Sequence, residues 1–216
     1  MEHQIIMFDF DNTLVKSLKF WHKVLDKETF WFFGKKPNKR MSQIRLGITI
    51  KETAEEFIKL AQIDATCNDV YSAWEKLMSK HYLNKIKMIK GAKEFLLKLK
   101  TEGKTLVLAS ATQDSLLKTA LQHFNIDIFD YIFTEANTNV SKRNITFFHN
   151  ILKQLKTKPE NIAFFEDSVS SLTNASSLGI KCYAVIGDFN KQHKQQLSLM
   201  CENCIKNYKK LTKKSK

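Results

Sequence analysis

From residue 104 onward the chain alternates short apolar runs with helical patterns, and this alternation limits its fold more than any other feature. Residues 104–109, 131–134, 161–165 and 181–186 are rich in β-formers, while 115–123, 144–155 and 168–177 repeat apolar residues at helical spacing. A fifth run of the first kind, 4–10, stands near the start. Continuous apolar runs suit strands buried on both faces, and strands separated by helices pair in parallel because the crossover needs the helix's length. The expectation is an α/β domain whose parallel sheet is covered on both sides.

Residues 18–87 break the alternation. Phe20, Trp21, Val24 and Leu25, then Ala54, Phe57, Ile58 and Leu60, then Val70, Trp74, Leu77 and Met78 recur at helical intervals, so the stretch reads as a helical insertion after the first strand. A helix over 92–99 leads back to the second strand, with Gly103 placed as its C-terminal cap. The boundaries that follow are 1–16 with 88–205 for the α/β domain, 17–87 for the insertion and 206–216 for a basic tail.

The 216 residues carry 35 Lys+Arg against 22 Asp+Glu, a net charge of +13, and 43% are hydrophobic. Such a chain can bury a core, which excludes disordered, collagen-like and disulfide-scaffold classes. No apolar stretch approaches the roughly 20 residues of a bilayer span, and the start lacks the layout of a signal peptide, so the expectation is a soluble cytoplasmic protein with no membrane partner. Four cysteines read as reduced thiols; Cys201 and Cys204 form a C-x-x-C with only His193 near enough in sequence to help complete a zinc site. Six lysines crowd residues 206–216 and read as solvated.

Chemistry is concentrated where apolar runs end. The first run passes into Asp9-Phe10-Asp11-Asn12-Thr13, and the fourth into Glu166-Asp167-Ser168. In open parallel sheets ligands bind at the carboxyl ends of strands, so both acidic pairs would face one crevice. Carboxylates brought together there repel unless a cation joins them, and an oxygen-only set that shares its shell with phosphate suits Mg²⁺. An Asx-turn at Asp9 and Asp11, or simple helix capping by Asp167 or Ser168, is the competing account, and capping is favoured for Ser168. The second run ends in Ser110-Ala111-Thr112, whose hydroxyl and amides can hold a phosphate oxygen, and Lys142 precedes the fourth run as a cation for carboxylates or phosphate.

Taken in order, Asp-x-Asp-x-Thr, a strand-end Ser, a Lys and a strand-end Glu-Asp resemble the four motifs of the haloacid dehalogenase superfamily over residues 4–187. Ala109-Ser110-Ala111 and Phe165-Glu166-Asp167-Ser168 look most like the branch containing β-phosphoglucomutase and phosphoglycolate phosphatase. The resemblance implies a Rossmann-like core and makes the helical insertion a cap domain. It implies Asp9 as a nucleophile forming an aspartyl-phosphate and Asp11 as the acid that protonates the leaving group, then activates water. It implies Mg²⁺ held by Asp9, the backbone carbonyl of Asp11 and Asp167, with Glu166 in the outer shell, and phosphate held by Ser110, Ala111 and Lys142. Asp11 favours phosphate esters, because dehalogenases and phosphonatases of the superfamily generally lack an acid at that place. Many relatives carry a further Asp four residues after the Asp167 position, where this chain has Ser171, a departure that bears on metal affinity.

In the cap region, Lys35, Lys36, Lys39, Arg40 and Arg45 adjoin Phe30-Trp31-Phe32-Phe33. Arg40 and Arg45 are candidate substrate contacts, and the aromatics read as packing for the cap. His22, His123 and His149 lie on helical patterns and read as structural. The favoured function is a Mg²⁺-dependent phosphatase acting on a small phosphorylated metabolite. A phosphomutase, a polynucleotide-end phosphatase using the basic surface, and an inactive phosphate-ligand-binding protein are the alternatives. Nucleic acid is possible on charge but not favoured, since no zinc finger, RRM signature or helix-turn-helix is visible.

Overall fold

The computed structural model describes residues 2–44 and 50–212. The chain divides into two compact units, 1–16 with 87–216 and Ser17–Ile86. Among the described residues no helix is long and apolar enough to cross a membrane.

The first unit is α/β. Strands β1 (Ile5–Phe8), β2 (Thr105–Ser110), β3 (Tyr131–Thr134), β4 (Ile162–Glu166), β5 (Lys181–Val185) and β6 (Asn203–Ile205) form a six-stranded sheet in the order β3-β2-β1-β4-β5-β6. Every pairing is parallel. This is the Rossmann-like order, and its direction reverses between β1 and β4, so a crevice opens at their carboxyl ends. The register aligns Phe8 with Leu108 on one side and Phe165 on the other, which brings the ends of three strands to one level. β6 has no counterpart in the sequence reading. Its three residues are not fully buried, and pairing with β5, not an apolar pattern of its own, makes it a strand.

Alternation along the strands supplies both layers of the core. Met7, Val107, Ala109 and Phe164 point to one face, packed by Phe147, Phe148 and Ile151 of helix Ile145–Leu155 and by Leu172 and Ala175 of helix Val169–Ser177. On the other face Phe8 stacks on Phe165 at 5.0 Å between ring centroids, and Phe95 of helix Ala92–Thr101 meets both edge-on. That helix ends as its sequence requires: Gly103 takes φ +72°, and Lys104 N–H closes onto the Leu99 carbonyl at 3.0 Å.

Lys206 does not open a fully solvated tail. Tyr208 is completely buried, its ring stacked on Phe95 at 5.5 Å, and helix Lys209–Thr212 follows it. Gly91, at φ +80°, makes room: a Cβ there would stand 2.8 Å from the Lys209 nitrogen. Burying one aromatic side chain is worth roughly 1.5–3 kcal/mol, enough to dock a short segment while Lys209 and Lys210 remain exposed. Residues 213–216 lie outside the described residues.

The second unit is helical. Leu18–Lys23, a π-helical turn Val24–Glu28 and Thr29–Phe32 run without a break, followed by Arg40–Ile44, Ile50–Ala61 and Cys67–Asn84. Thr66 opens the last helix with a reciprocal capping box to Asp69. Val24, Phe30, Met41, Ala54, Phe57, Val70, Trp74 and Met78 are buried within it. The aromatic run divides: Phe30 and Phe33 pack on Phe57, whereas Trp31 and Phe32 are exposed and do not serve the core. Four consecutive residues in helical geometry cannot all face one side.

Candidate functional site

The carboxyl end of β1 meets that of β4 through a backbone hydrogen bond, Asp9 N–H to the Phe165 carbonyl at 2.9 Å. Because the strands are in register, Asp9, Glu166 and Asp167 arrive together, each offering an oxygen within 4.8 Å of the others. Asp9 and Glu166 are buried, and Asp167 is half-buried. Lys142 enters from the turn before helix Ile145–Leu155, itself only 5% exposed. Its Nζ donates to Asp9 Oδ1 at 2.7 Å and to the Ala109 carbonyl at 2.9 Å. Glu166 Oε2 lies 2.7 Å from the same nitrogen as an ion pair outside hydrogen-bond geometry.

One cation therefore faces three carboxylates. Burial, and next the charge of Glu166, lifts the Asp9 carboxyl to about 7 despite Lys142. Asp167 is likewise held well above its ordinary range by burial and by Glu166. Burial alone would pull the Lys142 ammonium down, but Asp9 and Glu166 hold it above its usual value. Asp9 Oδ2 is buried without a hydrogen-bond partner among the described residues. A buried, oxygen-only, electron-rich cluster with an unmatched oxygen fits a hard divalent cation such as Mg²⁺.

The remaining expected residues border this cluster. Ser110 is buried at the end of β2, and its Oγ accepts the Thr112 N–H at 3.1 Å; Ala111 between them is exposed. Asp11 is not one of the three clustered carboxylates, and its Oδ2 accepts from the Thr112 hydroxyl. Ser168 occupies the N-cap position of helix Val169–Ser177 but makes no side-chain cap bond there. Glu166 Oε1 instead fixes the turn before the helix, accepting from Asp167 N–H at 3.1 Å and Ser168 N–H at 3.0 Å. Arg40 is exposed at the start of a short helix of the second unit, and Arg45 lies outside the described residues. Cys201, Cys204 and His193 do not make a metal-binding group among the described residues.

Four supporting residues went unread in the sequence. Asn12, at φ +60°, donates from Nδ2 to Asp167 Oδ2 at 2.8 Å. Asn190, 5% exposed, donates to the Asp167 carbonyl at 2.7 Å and the Val185 carbonyl at 2.9 Å, while its Oδ1 accepts from Gly187 N–H at 2.8 Å. Glu135 Oε1 accepts from the Lys142 N–H at 2.8 Å and the Ser141 hydroxyl at 2.9 Å, fixing the turn that delivers the lysine. Thr112 is the fourth, through Asp11. A small polar residue beside a motif is the only sequence signal for Asn12 and Thr112; Asn190 and Glu135 have none.

Residues 6–185 match the family model described as haloacid dehalogenase-like hydrolase. Protein CbbY of Cereibacter sphaeroides is 23% identical over 202 residues, covering 87% of this chain and 86% of that protein. A separate match, 33% identical over 54 residues to drimenol cyclase drtB of Aspergillus calidoustus, spans 25% of this chain and 10% of that much longer protein. Among solved structures, CbbY from Rhodobacter sphaeroides in complex with phosphate superposes with TM-score 0.82 at 20% identity, over 97% of this chain and 96% of that one. A putative β-phosphoglucomutase from Thermotoga maritima gives TM-score 0.73 at 20% identity, with 94% of both chains covered.

Proposed function

This chain belongs to the haloacid dehalogenase-like hydrolase family, and from that premise we propose that it is a Mg²⁺-dependent phosphatase of a small phosphorylated metabolite, with Asp9 as nucleophile. The observation that carries the reading is the Asp9–Lys142–Glu166–Asp167 cluster, in which a buried carboxylate is aligned by a lysine and left one oxygen short of partners. Asp9, Asp167 and the Asp11 carbonyl would hold the metal, with Glu166 behind them. Bound there, the metal supplies positive charge to the transferring phosphoryl group.

The chain's own residues do the rest. Asp9 forms a new O–P bond as the ester O–P bond breaks, and Asp11 gives its proton to the departing oxygen. Asp11, now a carboxylate, takes a proton from water, whose oxygen attacks phosphorus and frees Asp9. Lys142 favours the ionised form of Asp9 and aims it, and with the Ser110 hydroxyl and the Ala111 amide it would bind phosphate oxygens, offsetting the repulsion between two anions. The helical unit would serve as the cap, with Arg40 and Arg45 contacting the non-phosphate part of the substrate. A complex with phosphate, known for the CbbY relative, supports the choice of substrate class.

The test is release of inorganic phosphate from sugar phosphates, phosphoglycolate, nucleotides and a 5′-phosphorylated oligonucleotide, with and without Mg²⁺ and with Asp9→Asn as control. Metal-dependent release that this variant lacks is the expected result. Phosphoryl return to a sugar from a bisphosphate, without release, would replace the phosphatase by a mutase. Inertness of the folded wild-type protein toward every ester would overturn both.

A further inference from the structure

The loop after β1 is folded onto itself by its own backbone. Leu14 and Val15 N–H both donate to the Phe10 carbonyl, at 2.9 and 3.2 Å, and Asn12 N–H donates to the Val15 carbonyl at 2.7 Å. The Leu14 carbonyl accepts from Ile89 N–H at 2.8 Å. The Thr13 carbonyl is served from outside the loop, by the Tyr208 hydroxyl at 3.1 Å. Thr13 and Tyr208 are both completely buried, so water has no access to replace that donor.

Tyr208 is held firmly enough to act as a fixed point. Its N–H donates to the Lys90 carbonyl at 2.9 Å, and its ring stacks on Phe95 and tilts against Phe8 and Phe165. Those last two residues immediately precede Asp9 and Glu166. The same ring thus packs under the strand ends that deliver Asp9 and Glu166, while its hydroxyl reaches the loop that carries Asp11.

We propose that Tyr208 is a positioning residue for the loop from Asp9 to Leu14, its hydroxyl fixing the Thr13 peptide and, through it, the orientation of Asp11 two residues earlier. The proposal rests on the reading of Asp9 and Asp11 as the reacting pair, and it adds a control point far from both in sequence. A peptide whose buried carbonyl is pinned cannot rotate to find another donor. Without the hydroxyl the loop gains alternative peptide orientations, and Asp11 spends part of its time misaligned. Misplacement of a reacting group lowers the rate of the chemical step more than it weakens substrate binding.

Tyr208→Phe keeps the ring and deletes the hydroxyl. Two readouts are compared with the wild type, well below the melting temperature of either protein: amide hydrogen exchange in the metal-free protein, and kcat and KM for phosphate release with Mg²⁺. Exchange at the Leu14 and Val15 amides is expected to quicken roughly tenfold or more while β2 is unchanged, and kcat to fall roughly tenfold with KM within about twofold. A folded variant with unaltered loop exchange and unaltered kcat overturns the proposal. So does a variant that fails to fold or exchanges faster throughout the sheet, since either assigns the hydroxyl to stability alone. If the wild type releases no phosphate, the reading of the reaction fails on its own, and loop exchange still decides the role of Tyr208.

Discussion

Two clusters of charge, one in each unit, are built in opposite ways. In the α/β unit Lys142 pairs with Asp9 and Glu166, both packed away from water, and the half-buried Asp167 completes the cluster. In the helical unit a single carboxylate, Glu28, meets Lys23 at 2.6 Å and His81 Nε2 at 2.6 Å. Burial would raise Glu28, but hydrogen bonds from Lys23 and then His81 hold it below its ordinary value. Asp9 is raised, first by burial and then by the charge of Glu166. A carboxylate with a partner on each oxygen ties a π-helical turn to the helix Cys67–Asn84, and one with an unmatched oxygen fits a further cation. The direction of the shift separates a carboxylate already paired from one crowded by other acids.

The two clusters should answer pH with opposite signs. Asp9 binds its proton more tightly folded than unfolded, so its contribution in the metal-free protein is full below 3.8 and lost as pH rises through about 7. Glu28 binds its proton less tightly folded, so its contribution is full above 4.5 and lost as pH falls through its lowered value.

The sharpest way to break the contrast is Asp9→Asn, expected to cut phosphate release by at least about 10³-fold without lowering the metal-free melting temperature at pH 8. A large loss of stability there would show that Asp9 is structural. Lys142→Met comes next: stranding buried carboxylates should cost about 3–5 kcal/mol in urea unfolding at pH 8, and less at pH 5, where Asp9 is protonated. Mg²⁺ at a hundredfold excess over its Kd should stabilise the wild type by about 2.7 kcal/mol and flatten the fall of stability between pH 5 and 8. Asp167→Asn should lose most of that gain in the same thermal scans. Smallest is Glu28→Gln, expected to cost about 1 kcal/mol near pH 7; the difference from wild type should shrink as pH drops below 4.5, and a difference that grew would reverse the sign assigned to this cluster.

How far the sequence revealed these features depended on whether the signal was local. Five strands and the helices between them were legible because periodicity is written along the chain, and β6 was not, because its three residues form a strand only by pairing with Tyr183, Ala184 and Val185. Asp9, Asp11, Glu166 and Asp167 stood out as acids where apolar runs stop. Asn190 could not stand out: its amide serves carbonyls of Asp167 and Val185, partners that the fold alone brings to it. Tyr208 was concealed by its lysine neighbours, whose charge describes the surface of the segment and says nothing of the ring beneath. Trp31 and Phe32 erred the other way, since an aromatic run suggests packing until the helix turns half of it outward.

The parallel sheet order also sets when this protein can first act. β1 precedes the other five strands, and Lys142 follows Asp9 by 133 residues, Asp167 follows Asn12 by 155 and Tyr208 follows Thr13 by 195. At ordinary translation speeds the last of these intervals lasts roughly 10–40 s. During it the Asp9 carboxylate has at first no lysine to align it, then no Asp167 beside it, and until the end no pinned loop. A nascent chain that has not yet reached Tyr208 therefore lacks the pinned loop, and on the proposed reading the centre is complete only once that residue has been added.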